Sequence, residues 1–526
     1  MMKTPYRLAA AAALLPLLLA CAAEPPDPFL VQTDAGPVQG FAPEGAVDVA
    51  AFLGIPFARA PEGDLRWRPP VAVEPWTEPL QAGEYRPICP QSRAQLPQSE
   101  DCLYLNVWTS AERAGEDAMP VMVWIHGGGF RAGNGRLGEA PATGRGVGLA
   151  SRGVVVVSIQ YRLAALGFFA HPALAAEAAT SGEPEGSHGV LDMIAALEWV
   201  QRNASAFGGD PDRVTIFGVS AGGMAVNTLM STPASAGLFH RAISESGYGT
   251  WRLPHLSEAR WGLSSARDQG AALIAGAFDL GENPSAADLR ALPVEELINL
   301  GTGFWVPITG TVLPDEPGVV FARGEQHDVP YITGGNSFEG TIFRAFAMAP
   351  GDYFATFGER EGQARALYGA DGETDDDAER IAAATLFGDQ RYVISARYLA
   401  EQMKTVSSPA RTYYFRFVPE ARREMFPGAP HGSEVAYAFG DTGDPDAERY
   451  PGPDGEALGD AMAGYWTRFA ATGDPNGDRA PEWPEYDAEN DTWMVLDAPE
   501  PKATPGVLKD KLDLLEAVYL ERIGGE

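Results

Sequence analysis

VTIFGVSAGG, Val214 to Gly223, sets a lone serine between two glycines, after an apolar run and ahead of small residues. Gly218-Val219-Ser220-Ala221-Gly222 matches G-x-S-x-G, a turn in which a buried strand hands over to a helix and holds a serine hydroxyl exposed on strained backbone. A side chain two positions to either side of that serine would collide with neighbouring backbone, which accounts for both glycines. The helix that begins there aims unpaired N–H groups and its positive dipole end at any negative charge forming beside Ser220. The pentapeptide is common by chance, so the rest of the chain has to supply partners.

The surroundings read as an α/β fold. Val121–Ile125, Val154–Ile159 and Val214–Phe217 are short, β-branched-rich runs of the kind found in buried parallel strands. Between the second and third, Leu191, Ile194, Leu197 and Trp199 form a helical stripe, and Gly208 stands where that helix would stop. Strand, helix, strand is the pattern of a right-handed parallel crossover. AGGMAVNTLMS after Ser220 reads as a helix whose early glycines allow close approach to the sheet. Beyond residue 250 amphipathic segments and Pro/Gly-rich loops predict insertions covering a site, and Leu508 to Arg522 predicts a docked amphipathic helix. DGETDDD, residues 371–377, reads as a solvated loop without the spacing of a calcium site.

The 526 residues, 45% hydrophobic and 21% charged, contain no linker dividing two halves, so residues 30–526 are expected to form one domain. A formal charge of −32 argues against nucleic acid or an anionic membrane surface as a partner. Lys3 and Arg7 precede an apolar run, Leu8 to Ala20, too short to span a bilayer comfortably. Its end, LLLAC, resembles the lipobox of bacterial lipoprotein signals. Residues 1–20 are therefore expected to be removed, Cys21 to carry lipid, and residues 21–29 to form a Pro-rich tether. With Ala22 behind it, Cys21 points to the outer membrane, facing the periplasm or cell surface; an ordinary secretory signal is the alternative. Cys89 and Cys102 are then the remaining cysteines, a disulfide in an oxidising compartment or two buried thiols.

A serine nucleophile needs an oxyanion hole, a base and an acid. VMVWIHGGGF supplies a strand and then His126-Gly127-Gly128-Gly129-Phe130, whose glycines can turn N–H groups inward; the expected donors are those of Gly128, Gly129 and Ala221. Gly127-x-Gly129-x-x-Ala132 also fits a dinucleotide fingerprint, but RAGNGRLGEAPATG cannot be the required helix and the next strand ends in Gln160 rather than an acid. The order Ser, acid, His leaves His240, His255, His327 and His431 as bases. The first two stand too close to Ser220 in sequence, and His327 reads as a surface residue. His431 lies in GAPHGSEVAYAFG, a loop suited to presenting an imidazole. Glu339, after the strand Tyr331–Thr333, is the expected acid; Asp315 in LPDEP is the alternative and reads as a surface turn. The expected triad is Ser220, Glu339 and His431, with neither metal nor cofactor.

With those residues in place the chain resembles the type-B carboxylesterase family, the esterase and lipase group that includes cholinesterases and bacterial para-nitrobenzyl esterases. FLGIPFARAP, SEDCLYLNVW, VWIHGGGF, QYRLAALGFF, SESG, PHGSEVAYAFG, YWTRFAATGDPN and WPEYD occur in family order from about residue 30 to the C-terminal helix. The resemblance implies an α/β-hydrolase fold, a mostly parallel central sheet flanked by helices with large insertions over the active site. It implies Glu339 as triad acid, a Cys89–Cys102 disulfide, and supporting roles for Ser246 and Glu434. Two departures bear on substrate. Val219 stands where relatives commonly carry glutamate, and PQSRAQLPQSED lacks the tryptophan with which cholinesterases bind quaternary ammonium. Phe304 and Trp305 are acyl-pocket candidates or core aromatics. The expected activity is hydrolysis of small to medium apolar carboxylic esters through an acyl-enzyme. An amidase or peptidase with the same triad, and a non-catalytic adhesion-type module, are the rivals.

Overall fold

The three apolar runs lie side by side in one large sheet. A computed structural model describes residues 27–112, 117–137, 145–301, 304–346, 348–372, 375–441, 452–478 and 480–524; Cys21 and the leader fall outside them. The sheet's ten strands are β1 (Val49–Pro56), β2 (Tyr104–Ser110), β3 (Met119–Ile125), β4 (Val155–Ile159), β5 (Gly209–Val219), β6 (Arg241–Glu245), β7 (Tyr331–Asn336), β8 (Ala410–Phe415), β9 (Thr492–Leu496) and β10 (Lys502–Pro505). Their spatial order is β10-β9-β8-β7-β6-β5-β3-β4-β2-β1. From β4 to β9 every neighbouring pair is parallel; the marginal pairs β4–β2, β2–β1 and β9–β10 are antiparallel. Leu30–Gln32, Pro37–Gln39 and Leu80–Gln81 make a separate small sheet.

α1 (His188–Asn203) carries the predicted stripe and crosses from β4 to β5; a short 3-10 turn follows, and Gly208 at φ +78° reverses the chain into the strand. α2 (Ala221–Met230) starts directly after Ser220 and is buried along its whole length. The chain between β7 and β8 folds into a helical cap that includes α3 (Asp376–Gly388), passes through a π-helical turn at Asp389–Val393, and returns through α4 (Ile394–Gln402), which packs on β7 and β8. Asp375 to Asp377 therefore belong to a helix start rather than a free loop. The Asp375 side chain caps the Ala378 N–H at 2.8 Å, and carboxylates there complement the helix dipole.

Alternation along β3 sends Val121, Val123 and Ile125 to the face carrying α1 and α2. Met122 and Trp124 go to the opposite face, with Met462, Trp466 and Phe469 of α5 (Gly452–Thr472). Each such side chain removed from water contributes about 1.5–3 kcal/mol, so both faces hold the sheet rigid beneath its loops. α6 (Lys509–Gly524) docks through Leu512, Leu515 and Tyr519, with Leu508 just ahead of it also packed against the core. No helix among the described residues is long and apolar enough to cross a membrane.

Candidate active site

Four consecutive parallel strands end at the same edge of the sheet, and each is followed by a residue of interest. Ser220 follows β5, Ser246 follows β6, Glu339 lies in the turn after β7, and His431 lies in the loop after β8. The carboxyl ends of parallel strands are where such sheets leave a crevice. Ser220 sits there at φ +59° and ψ −118°, a conformation costing a non-glycine residue on the order of 1–3 kcal/mol. Its N–H donates to the Glu245 carbonyl at 2.8 Å. A Cβ at Gly218 would stand 2.4 Å, and one at Gly222 2.0 Å, from the Ile125 carbonyl oxygen, so this elbow excludes any larger residue on either flank.

A cavity of about 1100 Å³ opens over the elbow, and Ser220, His431, Gly128 and Gly129 all line it. Gly128 adopts φ +117°, where a Cβ would fall 2.0 Å from the Ala132 carbonyl oxygen, so only glycine makes this turn. Ala221 is the first residue of α2, and its N–H has no acceptor within the helix. Cys89 and Cys102 form a disulfide. The loop they close brings Gln91 against the glycine turn: its amide donates to the Gly133 carbonyl at 2.8 Å and accepts the Gly133 N–H at 2.8 Å.

His431 is held from behind. Its Nδ1 meets Oε2 of the buried Glu339, and its own N–H donates to Thr341 Oγ1 at 3.2 Å. The Phe338 N–H donates to the Ala429 carbonyl at 2.9 Å, tying together the two loops that bear acid and imidazole. Burial alone would lower the His431 pKa; the adjacent Glu339 charge outweighs it and leaves the imidazole above its ordinary value. Tyr392 from the π-helical turn packs on the imidazole, ring centres 4.6 Å apart.

Behind Glu339 lies a chain of buried polar groups. Glu339 Oε1 accepts the Asn336 N–H at 2.7 Å and faces Ser246 Oγ at 2.6 Å, while Ser246 Oγ also lies 3.1 Å from Glu434 Oε1. One hydroxyl proton cannot serve two carboxylates. Burial, then the Glu339 charge, pushes the Glu434 pKa well above the usual carboxylate range. The contacts allow a count that closes when Glu434 carries a proton: Glu434 then donates to Ser246, which donates to Glu339. Glu245 adds a further buried acid: it accepts the Trp466 indole N–H at 2.8 Å, and burial followed by the Glu434 charge raises its pKa to about 8.

The two alternatives to Glu339 and His431 lie elsewhere. Asp315 is buried rather than on an exposed turn, because Arg260 (2.9 Å) and Arg323 (3.0 Å) fold over it. His327 is half-buried, with Nε2 2.9 Å from the Thr232 carbonyl. Trp305 lines the cavity, whereas Phe304 packs in the core against Phe169. Arg131, Arg136, Arg145, Arg391, Tyr248 and Trp251 also line the cavity and belong to no motif. For Arg391 a signal existed, an arginine inside the apolar stripe of Leu386, Phe387, Tyr392 and Ile394. Among the described residues no cluster could hold a metal ion.

A mostly parallel sheet with its loops gathered over one elbow and cavity is the architecture of an α/β hydrolase. The Carboxylesterase family model matches residues 27–514, and the chain belongs to that family, whose chemistry is carboxylic ester hydrolysis. It is similar to a fumonisin B1 esterase of Sphingopyxis macrogoltabida, 36% identical over 89% of this chain and 86% of the relative. A liver carboxylesterase of Sus scrofa is 33% identical over 90% of this chain and 92% of that protein. A medium-chain fatty acyl-CoA hydrolase precursor of Anas platyrhynchos is 31% identical over 87% of each.

Proposed function

We propose that Ser220 is the nucleophile of an ester hydrolase, His431 its general base and Glu339 the acid that orients the imidazole. The observation that carries this reading is the His431–Glu339 contact, with Ser220 and His431 lining one cavity. His431 takes the Ser220 proton as Oγ attacks the ester carbonyl. The N–H groups of Gly128, Gly129 and Ala221 hold the oxyanion, a contribution of about 3–4 kcal/mol per donor. The tetrahedral adduct collapses, His431 protonates the leaving alcohol, and an acyl-enzyme forms. Water activated by His431 then releases the acid and restores Ser220.

Trp124, Leu137, Val219, Trp305, Ile342 and Val435 give the cavity an apolar wall suited to small and medium acyl or alcohol chains. The names of the relatives, esterase, carboxylesterase and acyl-CoA hydrolase, support acyl transfer to water. A panel of nitrophenyl esters from acetate to palmitate, with Ser220→Ala as control, tests it. Turnover by the wild type and its loss in the variant support the reading, and equal turnover by both overturns it. Anilide turnover matching ester turnover would favour an amidase instead.

Residues 30–526 act as one domain in this reading, and LLLAC makes the protein an outer-membrane lipoprotein anchored at Cys21 and exposed to the periplasm or cell surface. Globomycin-sensitive processing is the expected result, and processing indifferent to the drug would remove the lipid anchor.

A further inference from the structure

The cavity over Ser220 carries a charge opposite to that of the chain. The sequence has 71 acidic residues against 39 basic ones. Yet the cavity is lined by Arg131, Arg136, Arg145 and Arg391, and by no aspartate or glutamate among the described residues. Arg131 stands two residues beyond Gly129, and its half-buried side chain has no ion-pair or hydrogen-bond partner among the described residues. Arg136 reaches only the Arg86 carbonyl (3.1 Å) and the Tyr85 ring, leaving a buried Nε without a partner among the described residues. The acid beside Arg145 is Asp441, at 3.8 Å. The buried Arg391, also lining the cavity, sits among Tyr248 (4.1 Å), Trp251 (4.5 Å), Trp305 (5.0 Å) and Tyr392 (5.5 Å). A cluster of rings that would suit a cationic ligand is thus already filled by the protein's own cation.

Arg131 and Arg136, partly withdrawn from bulk water with no carboxylate partner among the described residues, are costly to hold there, and clefts of one sign focus the field on their contents. A neutral apolar ester would leave that field unanswered. A carboxylate on the ligand answers it, because its planar oxygens match the guanidinium fork.

We propose that the esters taken by this cavity bear a free carboxylate on an apolar chain, as half-esters of dicarboxylic acids do, with the arginine-lined wall holding that carboxylate while Ser220 attacks the ester. The inference rests on the esterase reading of Ser220 and narrows its substrate class.

The test uses the mature protein with monoethyl adipate and diethyl adipate, which share one acyl chain, and follows acid release at constant pH. The readout is the ratio of kcat/KM for half-ester to that for diester. In the wild type the ratio is expected above one. Arg131→Gln and, separately, Arg136→Gln are expected to lower it at least about tenfold, mainly through KM. Raising KCl from about 20 mM to about 500 mM should weaken the half-ester reaction selectively. A wild-type ratio below one, or a ratio unmoved in both variants, overturns the inference. Half-ester inertness with diester turnover, or with phosphonate labelling of Ser220 alone, overturns the inference and leaves the esterase reading standing. Absence of both turnover and labelling overturns both.

Discussion

Nδ1 of His431 meets Oε2 of Glu339 across 92 positions of sequence, inside a site where the carboxylate is fully covered. In the proposed mechanism that carboxylate fixes the tautomer with Nε2 free to accept a proton and stabilises the imidazolium formed when Ser220 attacks. Glu339→Gln keeps the shape and removes the charge. It is expected to lower kcat by about a thousandfold to ten-thousandfold with little change in KM, measured with a nitrophenyl ester.

The same contact sets the pH profile. Glu339 holds the His431 pKa above its ordinary value, about 6.5 for imidazole, and only neutral imidazole accepts the Ser220 proton. kcat/KM should therefore fall as pH drops through a midpoint above about 6.5. A rate flat from about pH 5 to pH 8 would contradict the assignment. Residual activity in Glu339→Gln should show its acid limb moved to lower pH, because the group that raised it is gone.

In the proton count behind Glu339, Glu434 acts by donating to Ser246. Glu434→Gln still offers an N–H toward Ser246 and an oxygen to Asn336, so its kcat should stay within a few-fold of wild type. Glu434→Ala leaves Ser246 and the Asn336 amide without that partner, and kcat should fall at least about tenfold. Parallel losses in the two variants would remove the directed relay.

Glu245 gives stability a pH slope of defined sign. Its folded pKa, about 8, lies above the ordinary glutamate value near about 4.3. Its contribution is present in full below the lower value and is lost as pH rises through the upper one. Glu245→Gln should therefore change the unfolding free energy least near pH 5 and raise it relative to wild type near pH 8.5, by on the order of a few kcal/mol at most, read from thermal or denaturant unfolding at each pH. A pH-independent difference would place the proton elsewhere.

The central sheet and the elbow were legible because parallel strands buried on both faces read as unbroken apolar runs, and because Gly218 and Gly222 meet a carbonyl oxygen that admits nothing larger. β5 begins earlier than its apolar run, at Gly209, since Gly209 pairs with Met119 through backbone alone and leaves no hydrophobic mark. Asp315 and His327 were misread as exposed because polar residues near prolines look like surface until distant partners cover them. Arg131, Arg136 and Arg391 stayed hidden for a related reason. Helical periodicity tells which face of the cap is apolar, but which cations the cap and the glycine turn bring to one cavity depends on contacts between segments far apart in sequence.

The most direct test of the account treats the wild-type protein with a fluorophosphonate at neutral pH and maps the added mass. One adduct per chain is expected, on Ser220, slowed below the His431 pKa and absent from Ser220→Ala. Stoichiometric labelling of another residue, or an unmodified Ser220 in a protein that still hydrolyses esters, would contradict it.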